Sequence, residues 1–227
     1  MRYYPISIDS QGKKVLVLGG GQIATRKVRS LLRGDFMIYV LAESFTDDLV
    51  DLVKKYPDRL RLKGQYLRKD FIFMGYDLLV IATNSPDLNQ AMEDYAKTKR
   101  ILYVRCDKKS DSSFLMNKIM EKGPLVASLS SGGLSPTLTR LVGQDLEGVL
   151  EDLDLEKLDL LVQIREKLLD WDDQERSKVI KYLYGQDRES VKRYLEEINE
   201  DKIGNSEEQP SSPTDPASGS DDSRSLS

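Results

Sequence analysis

This 227-residue chain contains no histidine. That absence removes Ser-His-Asp triads, histidine-built metal sites and the side chain most often used as a general base near neutral pH. Cysteine is almost as scarce. The lone thiol, Cys106, excludes an internal disulfide and suits a reducing, cytoplasmic setting. No apolar run is long enough to span a bilayer, and the first residues hold no signal-peptide core, so a cytoplasmic location is expected. A strong excess of one charge is missing as well. The formal net charge is −4, and residues 204–227 alone hold five acids against Arg224. The remainder is close to neutral, which argues against nucleic-acid or membrane-surface binding.

What is present begins with Lys13-Lys14-Val15-Leu16-Val17-Leu18-Gly19-Gly20-Gly21-Gln22-Ile23-Ala24. An apolar run reads as a buried strand, glycines follow at once, and Ile23–Leu32 then carries apolar residues at helical spacing. Strand, glycine turn and helix in that order open a dinucleotide-binding unit. Gly19 would make the tight turn, Gly21 would let a pyrophosphate approach the backbone, and Ala24 would let the helix pack closely on the strand. The first turn of the helix, with Gln22 and Ile23, offers unpaired N–H groups and a partial positive charge. A glycine-rich turn can also be only a turn, but its place between a strand and a helix favours cofactor binding.

Further along, strands are expected near Phe36–Leu41, Arg59–Leu62, Asp77–Ala82 and Ile101–Val104, with helices at Thr46–Tyr56 and Pro86–Lys99. Alternation of this kind implies a parallel sheet with right-handed crossovers, and ligands beyond the carboxyl ends of its strands. Those ends are Gly19–Gly21, Ala42-Glu43, Thr83-Asn84-Ser85 and Cys106-Asp107. After Asp111 the pattern changes. Phe114–Met120 and Leu125–Leu129 read as two strands, followed by Ser130–Pro136 and a helix over Thr137–Leu150. A block this small should pair with a second copy of itself. Residues 151–203, with Leu158, Leu161, Val162, Leu168 and Leu169 at helical spacing, predict a helical appendage, and 204–227 a disordered Ser/Pro-rich acidic tail. The boundaries expected are therefore 1–112, 113–150, 151–203 and 204–227.

Several residues could carry chemistry. Glu43 falls about 20 residues past the glycine turn, where an acid bonds a ribose hydroxyl and repels a 2′-phosphate; it could equally be a helix-capping acid before Thr46. Ser85 with Pro86 caps the following helix, and Thr83 and Asn84 could touch the cofactor as well. Asp107, flanked by Arg105, Lys108 and Lys109, should stay ionised. Without histidine it is the best-placed candidate base, although a turn-starting aspartate explains it too. Cys106 reads as a buried strand-end thiol. Ser130-Ser131-Gly132-Gly133-Leu134-Ser135-Pro136 looks like an anion cradle, with Ser135 as N-cap.

Taken together, Tyr4-Pro5, the turn Gly19–Lys27, Ile81-Ala82-Thr83-Asn84, Leu88-Asn89, Asp107, Ser113-Phe114, Gly123-Pro124-Leu125, Ser130–Pro136 and Arg140-Leu141 resemble the precorrin-2 dehydrogenase family. This is the N-terminal module of siroheme synthase, and in some members it is also a sirohydrochlorin ferrochelatase. The likeness covers roughly residues 3–150, and its specificity lies in the pairing of the glycine turn with the distant serine-glycine loop.

The resemblance implies an α/β fold: an N-terminal Rossmann-type parallel sheet, a small α+β dimerisation domain and a helical C-terminal part. It implies a homodimer that oxidises precorrin-2 to sirohydrochlorin with NAD, toward siroheme or cobalamin. Asp107 matches the catalytic aspartate, and Ser131 a serine near the tetrapyrrole pocket that can be phosphorylated in bifunctional members. Ser130, Gly132 and Lys118 fall in the same region, and Lys118, Arg105, Lys108, Lys109 and Arg140 are cations available to a polycarboxylate substrate, although each on its own reads as a solvated charge. No resident metal is implied, while Fe²⁺ or Co²⁺ would be a substrate of any chelatase activity. Val104-Arg105-Cys106-Asp107 departs from the family's frequent Asn-Val-Val-Asp, and Asn117 from a frequent proline. A non-catalytic NAD-sensing module would explain the glycine turn but not Asp107 or the serine-glycine loop.

Overall fold

The computed structural model describes residues 2–108 and 112–204. Lys109, and the expected tail from residue 205 onward, lie outside the described residues. Two compact units are present, residues 1–147 and 148 onward, and the division falls inside one helix.

The first unit is built on a parallel sheet. Its strands are β1 (Lys14–Leu18), β2 (Met37–Ala42), β3 (Leu60–Gly64), β4 (Leu78–Ile81) and β5 (Leu102–Arg105), in the order β3-β2-β1-β4-β5. Between them run α1 (Gln22–Leu31), α2 (Asp47–Lys55) and α3 (Pro86–Lys99). The run Val15-Leu16-Val17-Leu18 is apolar throughout because β1 is covered on both sides. Val15 and Val17 pack with Ala24, Val28 and Leu49 of α1 and α2, whereas Leu16 and Leu18 pack with Leu88, Met92 and Ala96 of α3. Each such side chain contributes about 1.5–3 kcal/mol on leaving water. Parallel pairing, Val15 with Ile38 and Leu78, aligns the carboxyl ends of β1, β2 and β4 at one edge. The expected parallel sheet is therefore present, with its helix positions.

One element starts later than the sequence pattern implies. Instead of a strand over Phe114–Met120, β6 spans Lys118–Lys122 and pairs antiparallel with β7 (Leu125–Leu129). Residues just before it are claimed by the main sheet. The Ser113 N–H donates to the Tyr103 carbonyl at 2.8 Å, the Arg105 N–H donates to Ser112 Oγ at 3.0 Å, and Phe114 and Met116 pack on the core. Helix α4 (Pro136–Glu151) follows.

The second unit holds α5 (Leu155–Lys167), α6 (Asp173–Tyr184) and α7 (Arg188–Gly204). Leu161, Ile164, Leu168, Val179, Leu183, Val191, Leu195 and Ile198 form its core. Val162 and Leu169 are exposed rather than buried. Asp154 and Asp172 cap α5 and α6. No helix among the described residues is long and apolar enough to cross a membrane.

Candidate active site

A cleft of about 720 Å³ opens at the carboxyl ends of β1, β2 and β4. It brings together Gly19, Gly21, Ala42, Glu43, Thr83 and Asn84, and adds Gly20, Tyr66, Arg68 and Lys69. Each glycine of the turn has a different physical reason. Gly19 sits at φ +114°, and a Cβ there would lie 2.3 Å from the Ala82 carbonyl oxygen. At Gly20 a Cβ would lie 2.0 Å from the Ser44 carbonyl oxygen. Gly21 meets nothing within 4 Å and is the N-cap of α1, with no side-chain cap of its own. Its open face bares the first turn of α1, whose N–H groups have no partner within the helix. That is the space and the donor set that a pyrophosphate requires.

Glu43 is exposed at the end of β2. Capping of α2 falls instead to Thr46, whose side chain accepts from the Leu49 N–H. Ser85 caps α3 with Pro86 at its first position. Gln22 lies outside the cleft lining, and Ile23 lines a second cavity instead.

The second cavity, of about 780 Å³, is bounded by Ile23, Arg26, Lys27, Cys106, Lys108, Asn117, Lys118, Ser130, Ser131 and Arg140, among others. The serine-glycine loop is pinned by its own hydroxyls. Ser131 Oγ accepts from the Ser135 N–H at 3.2 Å and from Thr139 Oγ1 at 2.9 Å, and Ser130 Oγ accepts from the Gly132 N–H at 3.2 Å. Gly132 and Gly133 both sit at positive φ. Ser135 caps α4, accepting from the Leu138 N–H at 3.2 Å. Lys118 crosses α4 over Gly143 and pairs with Glu147 at 3.0 Å. Burial pushes the Cys106 thiol up, despite the nearby Lys27 and Arg26.

Asp107 follows β5, and its neighbours Arg105, Cys106 and Lys108 line the second cavity. Arg105, expected to be a solvated cation, is corrected by the structure: its side chain is 2% exposed. Nε and Nη2 donate to Asp107 Oδ1 and Oδ2 at 2.9 and 2.6 Å. Nη1 donates to Glu93 Oε2 at 2.7 Å. Alternation along β5 explains the error: with Val104 facing the α1 side, Tyr103 and Arg105 face α3. The Arg105 bonds, with help from Asn89, hold Asp107 at a pKa of about 2 against the opposing effect of desolvation. Asn89 is fully buried and also grips the cleft: it accepts from Thr83 Oγ1 at 2.5 Å and donates to the Thr83 carbonyl at 3.0 Å. Asn89, Glu93 and Arg105 are site residues whose roles sequence reasoning missed. For Asn89 and Glu93 the signal was polar residues at helical spacing on the buried face of α3; Arg105, on β5, carried no local signal.

Residues 6–118 match the family model "Putative NAD(P)-binding". The chain is 32% identical over 155 residues to siroheme synthase of Mannheimia succiniciproducens, and 33% identical over 154 residues to that of Actinobacillus pleuropneumoniae. Each match covers 66% of this chain. Over about two thirds of its length the chain is similar to siroheme synthases. The solved structure of SirC, precorrin-2 dehydrogenase, shares its fold with a TM-score of 0.67 and 22% identity, covering 87% of this chain and 99% of that one. The chain spans only about a third of the siroheme synthases it matches, 31% and 30% of their lengths.

Proposed function

We propose that this protein oxidises precorrin-2 to sirohydrochlorin, a step of siroheme formation, with NAD as hydride acceptor. One observation carries the reading: a glycine-floored cleft and a cation-lined cavity lie at the carboxyl ends of the same sheet, and Asp107 follows the end of β5 between Cys106 and Lys108, which line the second. Gly19, Gly21 and the first turn of α1 would hold the pyrophosphate, Glu43 a ribose, and Thr83 and Asn84 the edge of the cleft beyond. Bound NAD supplies the two-electron acceptor. Arg26, Lys27, Lys108, Lys118 and Arg140 suit a polycarboxylate, with Ser130, Ser131 and Gly133 on the cavity wall and Gly132 in the same loop but outside the lining. Asp107, ionised at every working pH, is the carboxylate available to take the proton that follows the hydride. Among the described residues no group of His, Cys, Asp and Glu is placed to hold a metal ion, so insertion of Fe²⁺ or Co²⁺ would use the macrocycle's own nitrogens.

The active form is proposed to be a homodimer. Val126, Leu134 and Leu138 are 70%, 83% and 55% exposed on β7, the loop and α4, an apolar face that a second copy would cover. The lone cysteine supports a cytoplasmic location.

The test is a spectrum of precorrin-2 incubated anaerobically with protein and NAD, then with Fe²⁺ or Co²⁺. Conversion to sirohydrochlorin by wild type, with Asp107→Ala nearly inactive and still binding NAD, is the expected result. An unchanged tetrapyrrole spectrum with intact NAD binding would favour the sensor alternative, and near-normal turnover by Asp107→Ala would remove its assigned role.

A further inference from the structure

A buried cation between two carboxylates is a poor way to gain stability, since apolar side chains of similar volume often serve as well or better. Arg105 nevertheless occupies such a position. Four bonds engage its guanidinium: the fork made by Nε and Nη2 clasps both oxygens of Asp107, while Nη1 donates to Glu93 Oε2 and, at 2.9 Å, to Gln90 Oε1. Glu93 is 1% exposed and is held from its other side by Lys97 at 2.6 Å. One end of the brace is therefore anchored on α3, while the other holds Asp107, which stands free of regular structure just past β5.

What a bidentate clasp gives is geometry. It fixes the plane of a carboxylate as well as its distance. Reacting groups need that, because a misplacement near 1 Å can lower a rate by about 100-fold. We propose that Arg105, anchored by Glu93, is the positioning residue of this site and sets the plane and rotamer of Asp107 at the end of β5. The inference rests on the reading of Asp107 as the carboxylate at the reacting carbon.

The surroundings bear on how Asp107 titrates. Facing this brace from α3 are Glu93 and Lys97, with the neutral Asn89 and Gln90. Tyr103 on β5 donates its hydroxyl to Glu93 at 3.4 Å, and Lys108 approaches Glu93 at 3.9 Å. Arg26 and Lys27 of α1 act on the intervening Cys106. Arg105 is the group among these with two bonds to Asp107, and it is the main cause of the low Asp107 pKa.

The experiment compares the full-length wild type, Arg105→Lys, and the double variant Arg105→Gln/Glu93→Gln, which leaves no orphaned buried carboxylate. Asp107 is followed by ¹³C NMR of labelled aspartate carboxyls, assigned with Asp107→Asn, and kcat and KM are followed against pH with precorrin-2 and NAD. In wild type Asp107 should remain ionised at pH 3, and in the double variant its midpoint should rise by more than one unit toward the ordinary value of about 3.9. The double variant should lose roughly 10- to 100-fold in kcat with the KM for NAD unchanged. Arg105→Lys keeps the charge without the fork, so its Asp107 should titrate close to wild type while kcat stays low. Full kcat in Arg105→Lys overturns the proposal. So does a wild-type Asp107 that titrates at the ordinary carboxylate value, a measurement that needs no variant to fold. A wild type that leaves precorrin-2 unchanged refutes the proposed function instead, and the titrations still decide the brace.

Discussion

Gly21→Ala separates a glycine kept for the fold from one kept for a ligand. Gly21 has φ −82° and ψ −173°, a backbone any residue adopts, and a Cβ there meets no heavy atom within 4 Å. The folded protein should lose only the difference between Gly and Ala at an N-cap, roughly 0.5–1 kcal/mol. For a chain of this size that lowers Tm by about 1–4 °C. The added methyl, however, fills the space over the first turn of α1. It should deny a pyrophosphate one or two charge-assisted bonds of about 1.5–3 kcal/mol each, raising the Kd for NAD roughly 10- to 100-fold or more. Gly19→Ala is the contrast. Its φ of +114° and the 2.3 Å approach to Ala82 O force the backbone to move, so stability should fall by about 2 kcal/mol or more before any ligand is added. Calorimetric titration with NAD and thermal melts of both variants make the check. A Gly21→Ala protein with wild-type Tm and wild-type Kd would show that no phosphate lies over this turn.

Three further outcomes follow from the same geometry. Glu43→Ser should narrow the preference for NAD over NADP by about tenfold or more, read as the ratio of the two Kd values; an unchanged ratio removes Glu43 from the ribose site. Asp107→Asn should cost about 2 kcal/mol at pH 7, because the folded pKa of about 2 lies below the ordinary value. A lowered carboxylate pKa stabilises above the unfolded value and ceases to as pH falls toward the folded one. About half of that contribution should therefore vanish by pH 3 in urea titrations, and an equal deficit at pH 3 and pH 7 contradicts the linkage. Val126→Asp with Leu138→Asp should shift the protein from dimer to monomer in sedimentation equilibrium, and a dimer that persists would place the interface elsewhere.

The parallel sheet was legible because both of its faces are covered. A strand buried on two sides reads as an unbroken apolar run, and Val15–Leu18 and Leu78–Ile81 could be little else. Caps were legible for the same local reason, since Ser85-Pro86 and Ser135-Pro136 carry their meaning within two residues. The start of β6 was not. Phe114–Met120 has the composition of a strand, but Ser112 and Ser113 are drawn to β5 by partners some ten residues earlier in the chain, and no local pattern records that. The surroundings of Asp107 were half legible. Its charge neighbours were apparent, but Arg105 read as a surface cation because Glu93, which neutralises it, comes from a helix twelve residues back. Pairings across elements decide such residues, and they become visible only when the elements are assembled.

Asn89 joins the two halves of the site through one amide. It holds Thr83 by both of its polar atoms and also bonds Asp107. The strand end that borders the cleft and the acid at the next strand end are therefore not independent. Asn89 keeps its two bonds to Thr83 when Asp107 or Arg105 is changed, so those variants should still bind NAD, whereas Asn89→Ala should loosen both strand ends at once. The side chain that ties both strand ends is a fully buried residue of α3, so the two seats share one anchor inside the core rather than one on the surface.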